Sequence, residues 1–224
     1  MPEKVNSRRY ESPLRQRQAA DTRRVVLDAA EQLFTTQAYG ATRLPDVAAK
    51  AGVSLATVKQ TFGTKSELLL QVWHRRLAGG LDDPVPVADR DWYKAIFAAA
   101  DPRAKLRALA AGVRAVRPRI ARLSQAIETA AQSDPDIAEL HNRMQREFYA
   151  NQKAIVQHLA DGGFLRSGLT VETGSDLLYV LNSIHNFDVL VDQRGWTLDE
   201  YERWLAQILE QQLLDRRRGS RSPA

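Results

Sequence analysis

Lys59, Gln60, Thr57 and Ala56 follow Ser54 in the stretch LPDVAAKAGVSLATVKQTF, Leu44 to Phe62, and they share a face with no acidic residue. These side-chain types suit one kind of chemistry. An ammonium neutralises a phosphate, and an amide pairs bidentately with adenine. Leu55, if exposed, adds an apolar contact for a thymine methyl, with a plain solvent-facing role as the alternative for it and for Gln60. The flanking pattern explains how such a face would be held. Val47, Ala51, Val53, Val58 and Phe62 can share one buried side, and Ala48 is small enough for two helices to pack closely. Gly52 sits where the first helix must stop, in the left-handed conformation that glycine enters without steric cost. Ser54 is placed to cap the second helix. The stretch reads as a helix-turn-helix, a unit that sets its second helix in the major groove of DNA.

A second group of polar side chains interrupts apolar stripes further along. His141 and Asn151 lie at helical spacing with Met144, Phe148 and Ile155, and Asn182 and His185 sit beside Leu178, Leu181 and Ile184. A buried polar group needs a partner, and either a bound small molecule or another protein group would supply one. Trp92, Phe97 and Tyr149 are candidate aromatic walls for such a site, with core packing as the alternative. Catalysis and metal binding find little support. His185-x-x-Asp188-x-x-x-Asp192 is the only arrangement with loose ligand spacing, and ordinary hydrogen bonding accounts for it equally. No glycine-rich phosphate loop or nucleophile elbow is present. No cofactor is expected.

The chain has 224 residues, 44% hydrophobic and 26% charged, with few β-branched runs, which predicts an all-α protein with a sizeable core. It has no cysteine, which excludes disulfides and thiolate metal sites. The N-terminal segment lacks the apolar stretch of a signal peptide, so a cytoplasmic protein is expected. Charge is unevenly placed. Residues 1–80 hold 13 Lys+Arg against 7 Asp+Glu, whereas the remainder holds 19 against 20. The positive excess therefore lies in the segment with the helix-turn-helix, as a phosphate-facing surface requires.

In chain order, residues 1–18 read as a flexible basic arm, either entering a minor groove or inert. Residues 19–80 form the three-helix DNA-binding unit with its following helix. Asp21 to Gln37 is the first helix, Thr42 caps the second, and Thr64-Lys65-Ser66-Glu67 opens a fourth that stops at Gly79-Gly80. Residues 81–91 are a proline- and aspartate-rich boundary. A helical effector-binding and dimerisation domain then spans 81–215. Its helices are expected at Trp92 to Ala100, Pro102 to Val116 (ended by Arg117-Pro118), a segment to Gln132, then Asp134 to about Asp161, Thr170 to about Gln193, and Thr197 to Leu214. The last two carry wide apolar faces, and Leu177, Leu181, Ile184, Trp204, Leu205 and Ile208 are the residues expected in a homodimer interface, with burial inside the monomer as the alternative. Residues 216–224 read as a basic disordered tail.

The run from Thr22 to about Trp73, LDAAEQLFTTQAYG, ATRLPDVAAKAGVSLATVKQTF and GTKSELLLQVW in that order, resembles the tetracycline-repressor family of bacterial transcriptional regulators. The C-terminal run from Gly162 to Leu209 also looks like the last two helices of many members. The resemblance implies a two-domain all-α dimer on a palindromic operator, typically a repressor, released by a small-molecule effector in the C-terminal domain. It further implies that Thr42 and Ser54 cap helices and touch phosphate, that Ala56 allows close approach, that Thr57 contacts the groove and that Lys65 grips the backbone. With Arg43, Leu55, Lys59 and Gln60 these form the candidate DNA-binding set. Lys59 and Thr61 depart from the aromatic or histidine residues common in the family, so the operator sequence is not implied. An effector-less architectural or co-regulatory DNA-binding protein is the alternative.

Overall fold

The computed structural model describes residues 13–37, 39–79 and 85–215, so the expected arm before residue 13, the Gly80 stop, part of the 81–91 boundary and the basic tail lie outside the described residues. Every principal element is helical, and among the described residues the only β feature is an isolated bridge between Leu165 and Leu214. No described helix is long and apolar enough to cross a membrane. The chain divides into two compact units, Met1–Val72 and Trp73–Ala224, and the division falls inside the fourth helix rather than at the proline-rich segment.

In the first unit, α1 runs Pro13–Thr36, α2 Leu44–Ala51, α3 Leu55–Phe62, and α4 begins at Lys65 and ends at Leu77. Helix α1 starts eight residues before the expected Asp21. Leu14 to Ala20 are all good helix formers, and nothing in them stops a helix that opens with proline. The stripe Val26, Ala30, Leu33 and Phe34 is buried as its spacing predicts. Val47, Ala48, Val58 and Phe62 join it from α2 and α3. Gly52 adopts φ 68°, and the Val53 N–H donates to the Ala48 carbonyl at 3.0 Å, which closes the turn. Ser54 Oγ accepts from the Thr57 N–H at 3.0 Å, the expected cap. Thr42 does not cap α2. The cap position is Arg43, whose N–H donates to the Asp46 carboxylate at 3.1 Å, and Thr42 is turned fully into the interior. Its methyl group is suited to that burial.

In the second unit, α5 is Asp91–Ala98, α6 Pro102–Ala131, α7 Pro135–Asp161, α8 Val171–Leu181, α9 Ile184–Phe187 and α10 Leu198–Leu213, with π-helical turns at Asp188–Gln193. Two expected boundaries change. Helix α6 continues through Pro118 instead of ending at Val116. A proline inside a helix costs about 3 kcal/mol, but Val113, Val116, Ile120, Ala121, Leu123 and Ile127 are buried on both sides of it, at about 1.5–3 kcal/mol per large side chain. Burial wins. Conversely, the segment expected as one helix from Thr170 to Gln193 breaks at Asn182. Asn182 leaves the helix at φ −90°, ψ 20°, and Ser183 caps the next turn by accepting from the Asn186 N–H at 3.3 Å. Asn and Ser compete for backbone bonds and favour such breaks. The carbonyls left over are satisfied: Asn186 Nδ2 donates to Val180 O at 2.8 Å and Leu181 O at 3.2 Å, and Arg117 donates to Asn182 O.

Helix α10 presents Tyr201, Leu205, Leu209 and Leu213 at four-residue spacing, all fully buried against a core shared with α5, α6, α7 and α8. Leu205 is therefore a core residue of its own chain and leaves the expected dimer surface. Leu177, Leu181, Ile184, Trp204 and Ile208 remain partly exposed at the margin of this core. The large apolar side chain most exposed in this unit is Val180, on α8.

Candidate functional site

The outer face of α3 carries Ala56, Lys59, Gln60 and Thr61, all exposed, with Leu55 and Thr57 half-buried. Its geometry is set locally. Thr57 Oγ1 lies 2.8 Å from Ser54 Oγ, and Thr61 Oγ1 donates back to the Thr57 carbonyl at 2.8 Å, so both threonines are occupied within the helix. No intramolecular partner holds Lys59 or Gln60 among the described residues, which leaves an ammonium and an amide free to meet another molecule. Arg43 and Ser54 are exposed at neighbouring helix starts. Two members of the candidate set are engaged otherwise. Thr42 is buried, and its hydroxyl has no hydrogen-bond partner. Lys65 is half-buried, and its Nζ donates to Tyr39 O at 3.0 Å and Thr42 O at 3.1 Å while lying 3.7 Å from the centre of the Tyr39 ring. That ammonium clamps the turn ahead of α2.

The second unit encloses a cavity of about 730 Å³, bounded by α6, α7, the end of α4 and the break after α8. Trp92, His141, Met144, Phe148, Asn151, Asn182 and His185, seven of the nine residues expected at an effector site, line it. Tyr149 does not, its hydroxyl donating to Asp176 Oδ1 at 2.9 Å, and nor does Phe97. It packs 5.2 Å from both the Tyr93 and His158 rings in the core beneath. Two of the polar side chains already have protein partners: Asn182 Nδ2 donates to Gln152 Oε1 at 3.1 Å, and His141 Nε2 lies 2.9 Å from Gln145 Nε2, while at Asn151 it is the main-chain carbonyl that accepts from Tyr93 Oη at 2.9 Å. Trp92 is seated against the bare backbone of Gly112, where an added Cβ would fall 2.7 Å from the indole ring. Asp188, the middle residue of the loose metal-ligand spacing, accepts instead from Gln125 Nε2 and from Gln193 Nε2 at 2.8 Å.

Sequence reasoning missed Arg117 and His74, both in the cavity wall. The signal for Arg117 was present, since it interrupts the Val113–Val116–Ile120 stripe as Asn182 interrupts its own, but the expected helix end at Pro118 hid it. Burial holds the His74 pKa below the usual histidine value; Glu147 pulls it up, and Arg90 and Arg143 push it down. The unfolded chain therefore takes up this proton first, and stability falls as pH drops below about 6.5 towards the depressed value. The thermal midpoint is expected to fall between about pH 7.5 and about pH 5.5, and His74→Gln to shrink that fall. An equal fall in both proteins would assign the effect to other groups.

Residues 26–72 match the family described as bacterial regulatory proteins, tetR family. No curated protein sequence matches the chain. Among solved structures, the chain is similar to NalD, the secondary repressor of the MexAB-OprM multidrug efflux pump in Pseudomonas aeruginosa, with 22% identity, 88% of this chain and 98% of NalD covered, and a TM-score of 0.66. A protein from Saccharomonospora viridis, described as a transcriptional regulator and crystallised with choline, gives 21% identity, 88% and 100% coverage, and a TM-score of 0.66. The complex of SmeT with triclosan gives 18%, 91% and 95%, and 0.65. At these identities the likeness is one of fold.

Proposed function

We propose that the chain is a DNA-binding transcriptional regulator of the tetR family that represses transcription from a palindromic operator as a homodimer in the cytoplasm and is released by a small organic effector. The observation that carries the effector half is the cavity of about 730 Å³ in the second unit, a size that suits a drug-like or metabolite ligand. It favours an effector-responsive protein over an effector-less one. The repressor sense is carried over from NalD, and ligand occupancy from the neighbours holding choline and triclosan.

In this reading Lys59 and Arg43 neutralise phosphates, Gln60 reads a base edge, and Ala56 lets α3 settle into the groove. Trp73, His74 and Leu77 line the cavity from the last turns of α4, the helix that Lys65 opens. A ligand that displaces those turns acts on a helix whose first turns, from Lys65, belong to the first unit. Dimerisation uses the margin of α8 and α10, with Val180 at its centre beside Leu177, Leu181, Ile184, Trp204 and Ile208.

The test is a selection from random duplexes followed by footprinting. A two-fold symmetric site occupied by two chains is expected, and recovery of asymmetric or unrelated sequences would defeat the proposal. Val180→Glu puts a charge on a side chain 61% exposed in the single chain, so its fold should survive within about 0.5 kcal/mol. Sedimentation should then show monomers, and operator affinity should collapse. A Val180→Glu protein that remains dimeric moves the interface elsewhere.

A further inference from the structure

The walls of the cavity are unequal in charge and in hydrogen-bonding capacity. Arg117 lies in the middle of α6, 8% exposed, among Val113, Val116 and Ile120. One terminal nitrogen donates to the carbonyl and to Oδ1 of Asn182, and the guanidinium lies 5.3 Å from the centre of the Phe148 ring. Among the described residues no carboxylate pairs with it. Desolvation brings its pKa down to about 10, so it still carries a full charge at neutral pH. An unpaired charge in a low-dielectric interior is strongly unfavourable, and a counter-ion entering the site would relieve it. The two carboxylates in the lining, Glu128 and Glu147, belong to residues exposed to solvent.

Hydrogen-bond accounting points the same way. Two other lining residues hold buried donors with no acceptor, Trp92 at Nε1 and Arg90 at Nε. No lining side chain presents a buried acceptor in want of a donor. The unpartnered buried groups of the lining are thus all donors, and its two carboxylates sit on solvent-exposed residues rather than beside Arg117.

We propose that the effector is a hydrophobic organic carboxylate whose anionic group pairs with Arg117 and whose apolar body lies against Trp92 and Phe148. This rests on the cavity being the effector site. A carboxylate presents two coplanar oxygens that fit the fork of a guanidinium, and Arg117 is already oriented by its bonds to Asn182. Anion binding would therefore load the group that satisfies the carbonyl at the α8–α9 break.

The experiment uses the full chain and two series matched in size: 4-phenylbutyrate, 4-phenylbutanamide and 4-phenylbutylammonium, then octanoate, octanamide and octylammonium, each titrated calorimetrically. The carboxylate of at least one series should bind about tenfold or more tighter than its amide, with the ammonium weakest. Arg117→Met should erase that preference and leave amide binding within about threefold. Arg117→Lys, which keeps the charge without the fork, should keep part of the preference, and the wild-type ranking decides the matter if either variant does not fold. Equal or tighter binding of the amide or ammonium, a preference that survives Arg117→Met, or no binding by any of the six compounds overturns the proposal. Mobility shifts in the same samples keep the two readings apart. An Arg117-dependent carboxylate that leaves the operator complex intact supports the ligand class and defeats effector release, whereas release by a neutral or cationic compound alone does the reverse.

Discussion

Leu205→Ala is expected to lower the stability of the C-terminal unit by about 2–5 kcal/mol while leaving the association of the molecules that remain folded unchanged. The side chain is fully buried, and it shares its row of α10 with Tyr201, Leu209 and Leu213, each also at zero exposure. Truncation removes the transfer energy of three carbons and opens a void among side chains contributed by several helices, which cannot all collapse inward. Urea denaturation with the midpoint followed by circular dichroism measures the first part, and sedimentation well below that midpoint measures the second. Val180→Glu should give the opposite pair of results. If Leu205→Ala instead dissociated a dimer at unchanged stability, the assignment of this row to the monomer core would be wrong.

Lys65→Ala is expected to weaken operator binding by acting on the fold of the N-terminal unit, with the salt dependence of the remaining binding unchanged. Two hydrogen bonds from its ammonium and a ring contact at 3.7 Å hold the segment ahead of α2. Together these interactions are worth about 2–4 kcal/mol after allowance for partial exposure. For a small unit that is a large share of the total, so a sizeable part of the population would lose the helix-turn-helix. Lys59→Ala is the control. That side chain is exposed, so stability should hold within about 0.5 kcal/mol, while the slope of log affinity against log salt should become shallower by about one. A shallower slope for Lys65→Ala at unchanged thermal midpoint would instead give Lys65 a direct phosphate contact.

The parts of this protein that could be read from its sequence are those governed by local chemistry. Gly52, Ser54, the Thr64–Glu67 box and the Thr197–Glu200 box act within a few residues of themselves, and the structure has each doing what its type and spacing predict. The residues lining the cavity were partly legible for a related reason: a polar side chain such as Asn182 or His141 on an apolar stripe marks itself. Errors arose where a distant partner outweighed a local preference. Pro118 is a strong local stop signal, yet the core on both sides of it carries α6 through, and the same mistake concealed Arg117. Thr42 has the side chain of a cap but is drawn into the interior. Leu205 and Ile208 look alike along one helix, and only the arrangement of neighbouring helices separates a core residue from a marginal one.

The cavity is walled by α6 and α7, helices of 30 and 27 residues that fix its shape. A guest entering such a preformed, largely apolar chamber has little of the protein to reorganise, so its association should be exothermic near 25 °C and grow more so on warming, with a negative change in heat capacity as apolar surface leaves water. Because that guest binds only folded chains, a hundredfold excess over its dissociation constant would add about 2.7 kcal/mol to the resistance of the folded state against heat. A guest in this chamber would thus make the protein markedly harder to melt.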